Sequence, residues 1–403
     1  MPNFILFDDP KIRTNLLPLT FTRPVSEIRC GILTITEKWE KYLQSEVSFL
    51  TQDYLKNKFA ESQQRNAVRP KAESQVFING AVCPTAELLA EILALKNGEM
   101  LVQNEIILAK KNIQLIDNQL FTKKEFSEKL TIIQQLPDIF LNNGEQIKAD
   151  FELITAGRKS QKITDKFTKT YAAQNVFVEE GATIRAAILN AENGPIYIGK
   201  NAQIQEGAII LGPFSAGENS IVAWGSKMRM NTTLGPNCRA GGEVGNSVFF
   251  ANSNKAHDGF LGNSVIGEWC NLGANCNNSN LKNDYTNVKL YNYSSQKLED
   301  TGTLFCGLFM GDFTKAGIST MFNTGTVVGV NANVFGAGFQ EKHIPSFSWG
   351  GAAEGYSEYR FEKAVQVIRE TIKRRNKNFS ANDEAILRHI FEETRQNNVF
   401  LTR

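Results

Sequence analysis

The chain has 403 residues, enough for two or three domains with sizeable cores. Its 44 Lys and Arg nearly balance its 42 Asp and Glu, and a net charge of +2 gives no reason to expect a nucleic acid partner. No apolar run is long enough to span a bilayer, the N-terminus lacks a signal-peptide pattern, and the six cysteines form no CxxC pair, so a cytoplasmic protein with no membrane partner is expected.

Residues 1–159 read as an α/β domain. Phe4-Ile5-Leu6-Phe7 is a short buried strand followed by Asp8 and Asp9. The stretch 28–43 predicts a helix running through Trp39. Residues 75–78 predict a strand ending at Asn79-Gly80. A helix is expected over 85–95, with Thr85 as N-cap and Leu88, Leu89, Ile92 and Leu95 on one face. Residues 100–109 read as a hairpin, and 160–174 as a polar link.

From Val176 a different period takes over, loosely at Val178 and Ile184, then strictly. Every sixth residue from Ile198 is Ile204, Ile210, Ala216, Val222, Met228, Leu234 and Ala240. Neither a helix nor a strand has that period. It is the period of a parallel β-helix built from hexapeptides, in which each aliphatic residue points to the prism axis. Four places on, the residues are mostly small: Ala202, Ala208, Ser220, Ser226, Thr232 and Cys238. Gly199, Gly217, Gly235 and Gly241 follow the aliphatic position, where a turn favours glycine. The repeat then slips by two residues to Phe260, Ile266 and Leu272. It slips again to Leu304, Met310, Ala316, Phe322, Val328 and Val334, after an unpatterned polar stretch over 278–303. The solenoid is expected to end near Gly338, with a glycine-containing crossing over 344–351. Helices are expected over 356–376 and 383–396. The fold class is thus an α/β domain (1–159), a left-handed hexapeptide β-helix (160–345) and a C-terminal helical segment (346–403).

Irregularities in a rigid solenoid are where loops leave it, and such loops tend to carry function. Cys238, Cys270 and Cys276 fall at small inward positions and read as core residues. With three histidines in the chain, no metal cluster is expected. Asn275 to Asn280 are either turn asparagines in left-handed conformation or part of a site. Arg369, Lys373, Arg374 and Arg375 are either a solvated helix end or a phosphate contact.

Two stretches carry a resemblance. Leu17-Pro-Leu-Thr20-x-x-Arg23-Pro24 resembles the start of sugar-1-phosphate nucleotidyltransferases, and 19–39 resembles a Bacteroidetes-type variant of that start. Joined to a hexapeptide solenoid, this is similar to the GlmU-type bifunctional family. That family acetylates glucosamine-1-phosphate and attaches uridylate to give UDP-N-acetylglucosamine. The resemblance implies acetyl-CoA as cofactor, sugar-phosphate and nucleotide ligands, and a homotrimer. In an ungapped match over 243–280 it implies Glu243 and His257 as catalytic residues, with His257 the base that takes the proton of the attacking ammonium. It implies Asn271 and Asn280 as substrate-binding residues, and Ala274 as a coenzyme contact. A phosphate-binding cation falls on Lys227 or Arg229, and a later site lysine on Lys289. Two family tyrosines are replaced here by Phe260 and Leu281.

For nucleotidyl transfer the resemblance implies a glycine-rich phosphate loop and a carboxylate-held Mg²⁺. No glycine lies between Phe7 and Leu17, and Ala81 follows Gly80 where the family usually has its metal aspartate. Asp8, Asp9, Arg23 and Arg29 remain as candidate nucleotide-binding residues, Arg23 alternatively as a structural residue. Two functions are therefore in view. One is a sugar-phosphate N-acetyltransferase with a nucleotidyltransferase-like domain. The other is a non-catalytic sugar-nucleotide-binding scaffold or sensor.

Overall fold

The structure, a computed structural model, describes residues 3–59, 74–112 and 121–397. The chain forms two compact units. The first comprises 1–16, 22–28 and 33–135; the second comprises 17–21, 29–32 and 136–403.

The first unit is built on a six-stranded mixed sheet of β1 (Asn3–Phe7), β2 (Ser48–Leu50), β3 (Gln75–Asn79), β4 (Glu99–Gln103), β5 (Ile106–Asn112) and β6 (Thr122–Glu125). The strand order is β2-β1-β3-β5-β4-β6. β1 pairs parallel to both β2 and β3, so its buried Phe4, Ile5 and Leu6 sit at the centre of the parallel half. The β4–β5 hairpin turns through Asn104 and Glu105, both at positive φ, as a two-residue hairpin turn requires. Thr85 caps the helix Ala86–Ala94 by accepting from the Leu88 N–H, as the sequence predicts. The helix expected over 28–43 is shorter. Val25–Glu27 forms a 3₁₀ turn and Ile28 is extended, and the helix proper is Ile35–Leu43, closed at its start by a Thr34–Glu37 capping box. That box, three residues apart, was the local signal for the true start.

The second unit is a parallel β-solenoid of the left-handed hexapeptide class, about ten coils long. Its three faces are sheets of six, nine and ten strands. The first runs from Lys169–Tyr171 to Phe260–Gly262, the second from Val176–Val178 to His343–Ile344, and the third from Thr183–Ile184 to Gly355–Glu358. The eight residues from Ile198 to Ala240 at six-residue spacing are all buried on the axis, and so are the small residues between them. Cys238, Cys270 and Cys276 sit in the same core, and burial pushes the Cys238 thiol up to about 12. Helices Leu136–Leu141 and Asn143–Thr155 lie against the second sheet, where Asn143 Nδ2 donates to Asn231 O at 2.9 Å.

The glycines after the axial position serve close stacking rather than turn dihedrals. A Cβ on Gly235 would lie 1.4 Å from Phe250 O, and one on Gly241 would lie 2.3 Å from Ala256 O. Left-handed corner positions are instead taken by Asn201, Asn219 and Asn237, and by Gly207 and Gly225. Asn275 is another such corner.

Four solenoid expectations are corrected. Phe260 is only half-buried; Leu261, one residue on, faces the axis, because a one-residue shift in a strand reverses the side chain. Leu304 is exposed, and the third run begins at Leu308 and Met310. The stretch 344–351 is no crossing: His343–Ile344 and Ser348–Gly351 add strands to two faces, and Ile344 joins the core beyond Gly338. Tyr356 lies in the strand Gly355–Glu358, and the helix that follows is Phe361–Lys373. The polar stretch after Asn278 holds an antiparallel hairpin, Lys289–Asn292 with Lys297–Asp300.

Candidate functional site

His257 lies in the corner between the strands Asn254–Lys255 and Phe260–Gly262. It lines a cleft of about 640 Å³ with Trp224, Arg239, Asp258, Ala274 and Asn275. The cleft runs along one edge of the prism, where successive corners stack. Gly241-Gly242 packs beneath the His257 corner; a Cβ on Gly242 would lie 2.6 Å from Gly259 O, and Gly242 has φ +71°. Only glycine lets these two corners close on one another. The His257 side chain is exposed, and among the described residues no side chain hydrogen bonds to its imidazole. Its imidazole is therefore exposed and not tied to another described side chain.

Lys255, two residues before, occupies the axis. It pairs with Ala240 of the coil below and is fully buried. Its ammonium donates to Gly241 O at 3.0 Å and to His257 O at 2.8 Å. Burial lowers its pKa to about 8. An ammonium inside the prism thus ties down the backbone that carries His257. Sequence reading missed it; the signal was that Ala240 to Lys255 is too short for an ordinary coil. Trp224, 74 % exposed at the mouth of the cleft, was also missed, although an exposed indole at a corner is itself unusual.

The remaining solenoid candidates are dispersed within one chain. Asn271 is exposed on the third face, paired in register with Asn254 and Lys315, and lines a neighbouring cleft. Glu243, Lys227 and Arg229 lie on the first face, where Arg229 Nη1 is 3.4 Å from Glu243 Oε1. The Glu243 backbone N–H donates to Gly259 O, so the residue underlies the His257 corner, but its carboxylate is turned to Arg229. Asn280 donates to Asn263 Oδ1 at 2.8 Å, and Lys289 is exposed at the start of the hairpin. Of the sequence-predicted set, His257 and Ala274 share one cleft.

In the first unit, Asp9 caps the helix Pro10–Asn15 by accepting from the Lys11 and Ile12 N–H groups. Asp8 accepts from Val25 N at 2.8 Å and from Thr51 Oγ1 at 2.5 Å, and burial raises its pKa above the ordinary carboxylate value. Arg23 is buried in this unit. Arg29, buried in the second unit, donates through Nη1 to Ile32 O. Ala81 is fully buried. These residues do not fit a Mg²⁺ well: both oxygens of Asp8 and Oδ1 of Asp9 are engaged by N–H and O–H donors, and the described residues hold no cluster of three metal-ligating side chains.

Residues 4–159 match the family model described as sugar nucleotidyl transferase. A bifunctional protein GlmU of Methanocaldococcus jannaschii is 39 % identical over 89 residues, which is 22 % of this chain and 21 % of that protein. The chain thus spans about a fifth of that relative's length. An uncharacterised acetyltransferase, YaiX of Escherichia coli K12, is 24 % identical over 44 % of this chain and 77 % of its own. Among solved structures, the N-acyltransferase AntD of Bacillus cereus, in complex with dTDP and coenzyme A, covers 51 % of this chain and 90 % of its own, with 12 % identity and a TM-score of 0.23. No described helix is long and apolar enough to cross a membrane. The relatives that match are named as transferases, and this chain joins a nucleotidyltransferase-like domain over 4–159 to a hexapeptide β-solenoid.

Proposed function

We propose that the protein is an acetyl-CoA-dependent N-acetyltransferase acting on an amino-sugar-1-phosphate, glucosamine-1-phosphate foremost, with His257 as general base. The observation that carries this reading is the cleft that His257 shares with Ala274 and Trp224, floored by the Gly241-Gly242 corner. When bound, acetyl-CoA supplies an activated acyl carbon. The acceptor reacts as the free amine: its nitrogen attacks that carbon while His257 takes the proton the nitrogen sheds and passes it to the departing sulfur, so that a C–N bond forms, a C–S bond breaks and coenzyme A leaves as the thiol. Asn271 and Asn280 hold the sugar and Ala274 the coenzyme. Trp224 offers an apolar wall to the coenzyme arm. Lys255 acts as a positioning residue, through the carbonyl of His257.

The dispersal of Glu243, Lys227, Arg229, Asn280 and Lys289 away from this cleft favours a site completed between chains, and we propose a homotrimer. Light scattering that returns a monomer at micromolar concentration removes that part of the reading. The chemical part is tested by thiol release from acetyl-CoA over a panel of amino-sugar phosphates. No acceptor-dependent release with any of them overturns it.

A second reading is favoured for the first unit by the engagement of Asp8 and Asp9. We propose that it binds a sugar nucleotide such as UDP-N-acetylglucosamine with little or no uridylyl transfer. Calorimetry should then show binding, while pyrophosphate release from UTP and N-acetylglucosamine-1-phosphate with Mg²⁺ stays at background. Ordinary enzymatic turnover would refute this.

A further inference from the structure

A second cleft, of about 570 Å³, lies between the helix Phe361–Lys373, with the Arg374 and Arg375 that follow it, and the third face of the solenoid. Its lining brings together four cations, Lys315, Lys363, Arg374 and Arg375, against the single carboxylate of Glu370. Lys315 projects from the strand Lys315–Ala316, in register with Asn271, and donates to Trp269 O. Arg375 donates to Asn237 O at 2.8 Å and to Asn254 Oδ1 at 2.9 Å. Both cations are thus solvated only by neutral acceptors; among the described residues no carboxylate pairs with either. Burial lowers the pKa of Lys315 to about 8 and also lowers that of Arg375, which faces the like charge of Arg239. Crowding half-buried and exposed cations without a paired counter-ion raises the local potential, and a bound anion lowers it. An independent feature points the same way. Asn252, 6 % exposed, lines this cleft, and its side-chain oxygen accepts no hydrogen bond. A buried acceptor left open calls for a donor from a ligand.

We propose that this cleft binds a phosphate group, held by Lys315, Arg374 and Arg375, on a ligand whose neighbouring hydroxyl or N–H donates to Asn252. This cleft is not the one His257 lines, although Asn271, given above to the acceptor sugar, borders it; the phosphate contact itself does not rest on the acetyl-transfer reading. Two sources share this chemistry, a sugar phosphomonoester and the 3′-phosphate of a coenzyme.

The test is thermal unfolding and calorimetry on the full chain. Inorganic phosphate should raise the melting temperature relative to chloride at equal ionic strength, since a ligand that binds only the folded state stabilises it. Arg374→Ala, which alters an exposed side chain, should weaken phosphate binding at least about tenfold, the effect of losing one charge-assisted contact. Its melting temperature in chloride should not change. Lys315→Met should likewise abolish the phosphate response, and should raise the melting temperature in chloride by removing an uncompensated charge. His257→Ala should respond as the parent does. Glucose-1-phosphate against glucose, and coenzyme A against 3′-dephospho-coenzyme A, name the source: the pair whose phosphorylated member alone binds better is the match. A phosphate response that survives in both Arg374→Ala and Lys315→Met overturns the proposal. So does equal binding of both members in both pairs.

Discussion

The coils from Ile198 to Ala240 and the coils from Ala240 to Lys315 use the same strands and the same axis, yet differ in what they place there. In the regular part the third face advances from Ile204 to Val222 to Ala240, 18 residues per coil, and every residue at the six-residue axial spacing is apolar. Beyond Ala240 the steps become 15 residues to Lys255, 17 from Asn254 to Asn271, and 44 from Asn271 to Lys315. Strands keep their register, so the missing or extra residues are absorbed at the corners. The short coil brings a lysine onto the axis, where the carbonyls of Gly241 and His257 receive its ammonium. The long coil releases the Lys289–Asp300 hairpin. Regular coils supply rigidity and admit only small hydroxyls beside the apolar axis, whereas the irregular coil admits a charged side chain.

Four measurements break or sharpen this contrast. The largest expected effect is on turnover. His257→Ala should lower acetyl transfer by roughly two to four decades, the usual contribution of a general base. Its unfolding midpoint should stay unchanged, because the side chain is exposed and unbonded within the chain. His343→Ala, beyond the irregular coils, should keep turnover; the reverse result would move the site to the other end of the solenoid.

Next comes the axis itself. Ile210→Ala, in a regular coil, should destabilise by about 2–5 kcal/mol, as buried large-to-small changes do. Lys255→Met should cost less than this. It leaves two carbonyls without a donor but also removes a buried charge, and these terms oppose each other. Urea unfolding compares them directly; a larger loss in Lys255→Met would mean that the lysine is the stronger structural element.

The third is a pH dependence on the alkaline side. Lys255 and Lys315 have folded-state pKa values near 8, below the ordinary 10.5. Between pH 8 and 10.5 the unfolded chain holds protons that the folded chain has released, so their contribution to stability rises with pH across that window. Lys255→Met should flatten the slope.

The fourth, and smallest, is on the acid side. His343 stacks on Tyr291 with ring centroids 3.6 Å apart, its Nε2 takes no hydrogen bond, and burial lowers its pKa to about 4. Stability should fall as pH drops from 6.5 toward 4, where the unfolded chain binds the proton first. His343→Phe should remove that part of the fall in a thermal melt series.

The solenoid was legible where sequence period and coil length agree, because each axial residue there reports its own burial. Legibility failed where one residue of slip reverses a side chain, as at Phe260 and Leu261, and where a polar residue took an apolar place, as at Lys255. In the α/β unit Thr85 declared its helix, whereas Ile28 was drawn into the next helix by apolar spacing alone. The cleft under the C-terminal helix could not be read along the chain. Arg375 meets Asn237 and Asn254 across more than a hundred residues, and no local pattern encodes that meeting. His257 was found by likeness to a family motif; its setting between two glycines and a buried ammonium was not.

The strand Gly355–Glu358 runs antiparallel to its neighbour Ser348–Gly351, the only such reversal among the described strands of the third face. Its last residue, Glu358, is 2.8 Å from Arg395 of the helix Ala381–Asn397. A parallel ladder is open-ended by construction: its last coil presents the same edge as every earlier one and would template another copy of itself. Here the final edge points the opposite way and is clamped by an ion pair to a helix. A second solenoid arriving with its own first coil therefore cannot continue the parallel ladder through this face, and the edge it meets is tied to a helix by the Glu358–Arg395 pair.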